Sequence, residues 1–129
     1  MRLFLVRHAH SEAGEPDELR PLSARGREEA RALAERLAAE AAPALVVASP
    51  LLRARETAAA IAKASGAELR VDDRLAPGAV ASDVLEAIEG ASGAVVTVGH
   101  QPDCSEIAFA LGAGPVEFPP AGLAEIELP

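Results

Sequence analysis

The sequence predicts an α/β protein, a three-layer α/β/α sandwich around a mainly parallel sheet. Two observations carry this. Short apolar runs rich in β-formers alternate along the chain with longer stretches whose apolar residues recur at helical spacing, and a βαβα order implies a parallel sheet covered by helices on both faces. The chain has 129 residues, enough for one domain with one core, so residues 1–129 are expected to form a single unit. A domain of this size buries roughly two thirds of its unfolded surface and needs no disulfide; the single Cys104 has no internal partner and fits a reducing compartment.

The elements follow in order. Residues 2–6 (RLFLV) form the first strand, 45–48 (LVVA) the second, 69–71 (LRV) a weaker third and 94–98 (AVVTV) a fourth closed by Gly99. Residues 123–128 (LAEIEL) alternate apolar with acidic, as a half-exposed edge strand does. The first helix runs from Ser23, its N-cap, to Ala41, with Ala30, Leu33, Ala34, Leu37 and Ala38 on one face. The second starts at Ser49-Pro50, with Ser49 as N-cap and Pro50 at the first helical position. It buries Leu51, Ala54, Ala58, Ile61 and Ala62 and ends at Gly66. A third helix covers 81–89, and a fourth starts near Asp103 and stops at Gly112.

Composition removes several function classes. The net charge is −8, the wrong sign for a protein that displaces counterions from nucleic acid. With no Trp or Tyr and only three Phe, base-stacking surfaces are scarce as well. The N-terminal run is broken by Arg7 and His8, too short for a signal peptide or a membrane span. A soluble protein of the cytoplasm, without a membrane partner, is expected.

In an open α/β sheet, ligands bind outside the carboxyl ends of the strands. Arg7 and His8 follow the first strand. Ser49, Pro50 and, about a turn later, Arg53 follow the second; Gly99 and His100 follow the fourth. Two arginines and two histidines thus collect at one edge of an acidic protein. Guanidinium forks and helix N-termini both suit phosphate oxygens, so the edge reads as an anion site. Arg55 lies about 200° around the helix from Arg53, so only one of the two faces the site; Leu51 and Ala54 place Arg53 there and Arg55 in solvent.

These residues also carry a resemblance. Arg7-His8-Ala9 is similar to the Arg-His-Gly signature of the histidine phosphatase superfamily, the phosphoglycerate mutase and acid phosphatase clan. Ser49-Pro50-Leu51-Leu52-Arg53-Ala54-Arg55-Glu56-Thr57-Ala58 resembles its second motif, and Val98-Gly99-His100 the later strand bearing a second histidine. Within the clan, Arg20-Pro21-Leu22-Ser23 and Gly26 resemble the short phosphohistidine phosphatase branch. The resemblance implies a phosphoglycerate-mutase-like fold, His8 as a nucleophile that becomes phosphorylated, and Arg7, Arg53 and His100 as the groups holding the phosphoryl. It implies a hydrolase needing neither metal nor other cofactor. The partner it implies is a phosphorylated protein, such as a histidine phosphotransfer domain, or a small phosphate ester. Arg20 either touches the phosphate or anchors the loop before the first long helix.

There are two departures from the clan pattern. Ala9 replaces glycine, which strains the chain if that position needs positive φ. The segment after the third strand, Asp72 to Ala79, lacks the glutamate that serves larger members as general acid. Asp72 or Asp73 is either that acid or a turn residue. An alcohol needs a proton to leave, whereas imidazole, with a conjugate acid of pKa about 6.5, leaves as a neutral ring near pH 7. A site without an acid therefore favours phosphohistidine. The acidic loop from Glu12 to Glu18 repels highly anionic small molecules and points the same way.

The blander alternatives are a solvated Arg7, an Arg53 paired with Glu56 or Glu12, and a His10 at the pocket rim. Cys104 is ordinary, because position 110, where a cysteine phosphatase loop needs arginine, is alanine. The rivals are a metallohydrolase using His8, His10 and His100, for which the barrel of about 250 residues is too long, and an inactive phospho-binding module.

Overall fold

A computed structural model describes residues 1–129 and has the expected three layers. The strands are β1 (Arg2–Arg7), β2 (Leu45–Ala48), β3 (Glu68–Val71), β4 (Ala94–Gly99) and β5 (Leu123–Glu127). The helices are α1 (Ala24–Glu40), α2 (Leu52–Ser65), α3 (Ala81–Ala87) and α4 (Asp103–Ala110), with short 3-10 turns at Asp17–Leu19 and Asp73–Leu75. The sheet order is β3-β2-β4-β1-β5. All pairs are parallel except β1 with β5. No helix is long and apolar enough to cross a membrane.

The two-residue period of the strands divides the core. Phe4 and Val6 of β1, Val46 and Ala48 of β2, and Val96 and Val98 of β4 pack under α1 and α2, against Leu33, Leu37, Ala58 and Ile61. Leu3, Leu5, Val47 and Val95 face the opposite way, toward Val84 and Ala87 of α3 and Ile107 and Ala108 of α4. The central strands are therefore buried on both faces and read as continuous apolar runs. β3 is exposed throughout, as its position at the sheet edge allows. On the other edge, Ile126 of β5 is buried between exposed Glu125 and Glu127.

Helix α1 begins as its sequence predicts: Ser23 is the N-cap and its side chain accepts from the Gly26 N–H. α2 differs. Its helical residues start at Leu52, two positions beyond Pro50, with extended Leu51 as N-cap and no side-chain cap. The Ser49 hydroxyl accepts the N–H of Leu51, the residue just before the helix, at 3.2 Å, and also lies 2.7 Å from His100 Nε2, so the same oxygen joins the start of α2 to the end of β4. α3 is also shorter than expected, because Ile88 leaves helical geometry and Gly90 turns the chain at φ 83°.

Candidate active site

β2, β4 and β1 lie side by side, so the three loops that carry the charged residues leave the sheet together. The first residues beyond the strands stay zipped: Ser49 N–H donates to the Val98 carbonyl and His8 N–H to the Gly99 carbonyl, both at 3.0 Å. Arg7, His8, Arg20, Arg53 and His100 all line one cavity of about 470 Å³, which no hydrophobic residue lines. His10, Ser11, Asp17, Pro77, Gln101 and Pro120 complete its walls. A larger groove of about 930 Å³ runs beside α4 past Phe109 and Phe118, but no cation lines it.

His8 is buried, and its Nδ1–H donates to the Ala9 carbonyl at 2.8 Å. That bond fixes the tautomer and leaves the Nε2 lone pair free. Burial, then the cations Arg53, Arg7 and Arg20, lower the ring's pKa to about 4, so the imidazole is neutral near pH 7. Ala9 is fully buried against Leu22 and Ala30 and is not among the residues with positive φ. The strain that alanine would suffer there does not arise. Its N–H donates to Thr57 Oγ1 at 3.1 Å, and the Thr57 hydroxyl donates to the Arg53 carbonyl at 2.8 Å. Thr57 thus ties the chain beside His8 to the helix turn that carries Arg53.

Arg7 Nη1 donates to the Phe118 carbonyl at 3.0 Å, so Arg7 is anchored rather than solvated. Arg53 is buried and pairs with neither Glu56 nor Glu12. Its Nη1 donates to the Asp17 carbonyl at 2.9 Å and its Nη2 to Asp17 Oδ2 at 3.2 Å. Glu56 instead accepts the Leu22 N–H. Arg20 braces the loop by donating to Asp17 Oδ1 at 2.9 Å and to the Glu12 carbonyl at 3.2 Å, and it also lines the cavity. The Nε atoms of Arg7 and Arg53 are buried and have no hydrogen-bond partner. Unmet guanidinium donors beside a polar cavity are what an oxyanion satisfies.

The His100 ring lies 5.3 Å from that of His8. Ser49 occupies its Nε2, which leaves Nδ1 for a ligand. Its pKa also falls to about 4, through burial first and then His8 and Arg53. Other expected residues stay outside the chemistry. His10 Nδ1–H donates to Ser23 Oγ at 2.6 Å, while that hydroxyl donates to the His10 carbonyl; the rim histidine is a brace for α1. Arg55 does not line the cavity, yet it is half-buried rather than in solvent, with Nε donating to the Pro50 carbonyl at 2.9 Å. Asp72 is a turn residue: it accepts the Arg74 N–H and ion-pairs with the Arg74 guanidinium, which holds its carboxyl below the usual range. Neither it nor Asp73 lines the cavity. Cys104 is buried, and burial pushes its thiol up to about 12. No group of three His, Cys, Asp or Glu side chains converges as metal ligands.

The sequence model of branch 1 of the histidine phosphatase superfamily matches residues 3–77, the span that holds Arg7, His8, Arg20 and Arg53. The chain belongs to the histidine phosphatase superfamily. Within that superfamily, a structure assigned as the phosphohistidine phosphatase SixA from Agrobacterium tumefaciens is 29% identical, covers 96% of this chain and 89% of its own, and superposes with a TM-score of 0.82. The protein histidine phosphatase SixA complexed with tungstate shares the fold at a TM-score of 0.87, with 23% identity over 99% of this chain and 88% of that one. A mycobacterial glucosyl-3-phosphoglycerate phosphatase complexed with VO3 is 25% identical over 96% of this chain and 90% of its own, with a TM-score of 0.72. No curated protein matches the sequence.

Sequence reading did not single out Asp17, Ser49, Thr57 or the Phe118 carbonyl as parts of this histidine phosphatase site. Ser49 and Thr57 lie within the second motif, but as an expected helix cap and an unremarked position. Asp17 sits three residues before Arg20 in an acidic loop, a signal that reads as solubility until the turn is folded. The carbonyl has no side-chain signature at all.

Proposed function

We propose that the protein is a phosphatase that transfers the phosphoryl group of its substrate to His8 Nε2 and then to water, with protein phosphohistidine as the substrate class. The observation that carries the reading is the neutral His8, its Nδ1–H held by Ala9, in a cavity lined by Arg7, Arg20 and Arg53. The guanidinium groups and His100 Nδ1 receive the phosphoryl oxygens, where transition-state charge accumulates. The Nε2 lone pair forms the new bond to phosphorus as the bond to the leaving atom breaks, its electron pair departing with that atom. The Ala9 carbonyl accepts from Nδ1–H throughout and stabilises the imidazolium that forms. Water then attacks phosphorus, the P–N bond electrons return to His8, and phosphate is released.

The leaving group supports the choice of substrate. With Asp72 committed to Arg74 and Asp73 outside the cavity, nothing after β3 protonates a departing alkoxide, whereas an imidazole departs neutral. The 29% likeness to a structure assigned as a phosphohistidine phosphatase supports the same substrate. The reaction needs no metal in this reading.

The test is a turnover panel in excess chelator, comparing a phosphohistidine-bearing protein with aryl and alkyl phosphates. Phosphohistidine is expected to be turned over well, aryl phosphates less and alkyl phosphates barely, and His8→Ala is expected to abolish all three while remaining folded. Equal rates on alkyl phosphates would make the protein a general phosphomonoesterase. Loss on chelation with rescue by zinc would replace the histidine mechanism, and binding without turnover would leave a phospho-binding module.

A further inference from the structure

We propose that Asp17 selects the leaving group: its carboxylate accepts the ring N–H of a protonated phosphohistidine, so that the imidazole departs neutral without any acid from the protein. The inference rests on the phosphohistidine reading above and deepens it.

Asp17 is the only carboxylate lining the cavity. Its side chain is 61% exposed, while that of Arg53, which it touches, is 7% exposed, so the carboxylate rises from the cavity floor toward its mouth. Its position is fixed at three points: Oδ2 and the backbone carbonyl accept from Arg53, and Oδ1 accepts from Arg20. A carboxylate has about four lone-pair sites, and two are taken, so each oxygen keeps one for a ligand. In-line transfer to His8 places the leaving group on the far side of phosphorus from the buried nucleophile, which is the solvent side where Asp17 stands.

The chemistry of this carboxylate suits one class of leaving group. Arg53, then Arg20, hold it below the usual carboxylate range. An acid held deprotonated cannot give a proton to an alkoxide, but it is a strong acceptor for a cationic ring. In phosphohistidine one ring nitrogen carries phosphorus and the other is free to be protonated. When His8 Nε2 bonds to phosphorus, the old P–N bond breaks and its electron pair stays on the substrate ring. The ring's positive charge is thereby neutralised, and its N–H proton remains where it was. No proton crosses between substrate and enzyme. The site thus places the acid function on the substrate and keeps on the protein only the group that holds that proton.

The test measures kcat/KM for a phosphohistidine peptide and for 4-nitrophenyl phosphate in the parent, Asp17→Asn and Asp17→Glu. One charge-assisted hydrogen bond is at stake, so the phosphohistidine-to-aryl ratio is expected to fall about tenfold or more in Asp17→Asn and to recover in part in Asp17→Glu. The alkaline limb of kcat on phosphohistidine is expected to move to lower pH in Asp17→Asn, because the ring loses the anion that keeps it protonated. An unchanged ratio with an unmoved limb, whether both substrates slow or neither does, would show that Asp17 only positions Arg53 and Arg20 and would overturn the proposal. A parent enzyme that turns over 4-nitrophenyl phosphate but not phosphohistidine would instead overturn the substrate reading, and this inference with it.

Discussion

Arg53 and Arg55 stand two positions apart on α2 and have different fates, which shows how far a single residue's role follows from spacing. At 100° per residue the two point about 200° apart, and only Arg53 lines the cavity. There each Nη gives one N–H to Asp17 and keeps a second, and its buried Nε is unmet. Arg53→Ala is therefore expected to lower kcat/KM by about 10²-fold or more, the scale for losing a preorganised donor at a charged transition state. Arg55→Ala, which loses only a bond to the Pro50 carbonyl, should stay within a fewfold of the parent; equal losses in a kcat/KM comparison would place both side chains in the site. Which face Arg53 takes was legible in the sequence. Its partner was not: Glu56 and Glu12 are close in sequence or in the same loop, but the 3-10 turn at Asp17–Leu19 delivers a different carboxylate.

At the scale of elements, α1 is held in place by a glycine. A Cβ built on Gly26 would meet the His10 carbonyl oxygen at 1.8 Å, closer than any real contact, and that oxygen is backbone, so no side-chain rotation relieves the clash. The same carbonyl accepts from Ser23 N–H and Ser23 Oγ, so the start of α1 and the loop after His8 are locked together. Gly26→Ala is expected to destabilise the protein by about 1–3 kcal/mol and to reduce turnover by displacing that loop, read as a lower Tm together with a lower kcat/KM. A Tm equal to the parent's would mean that the loop yields freely. Ser23 could be read as a cap from its position alone because capping is local. The contact of the Ser49 hydroxyl with His100, 51 positions away, could not be read that way.

Over the whole molecule, the site imposes a cost that depends on pH. His8 and His100 are buried neutral, each with a pKa near 4 in place of 6.5. Between those values the unfolded chain binds protons that the native state refuses, so stability is full above pH about 6.5 and declines as the pH falls toward about 4. Each ring contributes at most about 1.4 kcal/mol per pH unit across that window. In denaturant titrations between pH 7 and pH 5, His8→Ala is expected to lose stability less steeply than the parent, whatever its stability at pH 7. Parallel slopes would mean that the His8 ring is protonated as freely folded as unfolded.

The sequence by itself determined the layers, the strand order's parallel character and the three strand ends that bear Arg7, His8, Arg53 and His100. Strand period, helix period and the rule that ligands gather at strand carboxyl ends are local or topological, and a single chain displays them. The tertiary structure alone decided that Ala9 sits unstrained against Leu22 and Ala30, that the Ser49 hydroxyl meets His100 beside its local bond to the Leu51 N–H, and that Asp17 reaches Arg53. Each of these is a choice among several partners of similar chemistry. Only the folded positions of the connecting loops, set by long-range contacts such as Gly26 against His10 and Arg7 against Phe118, bring one donor and one acceptor within 3 Å and leave the others apart.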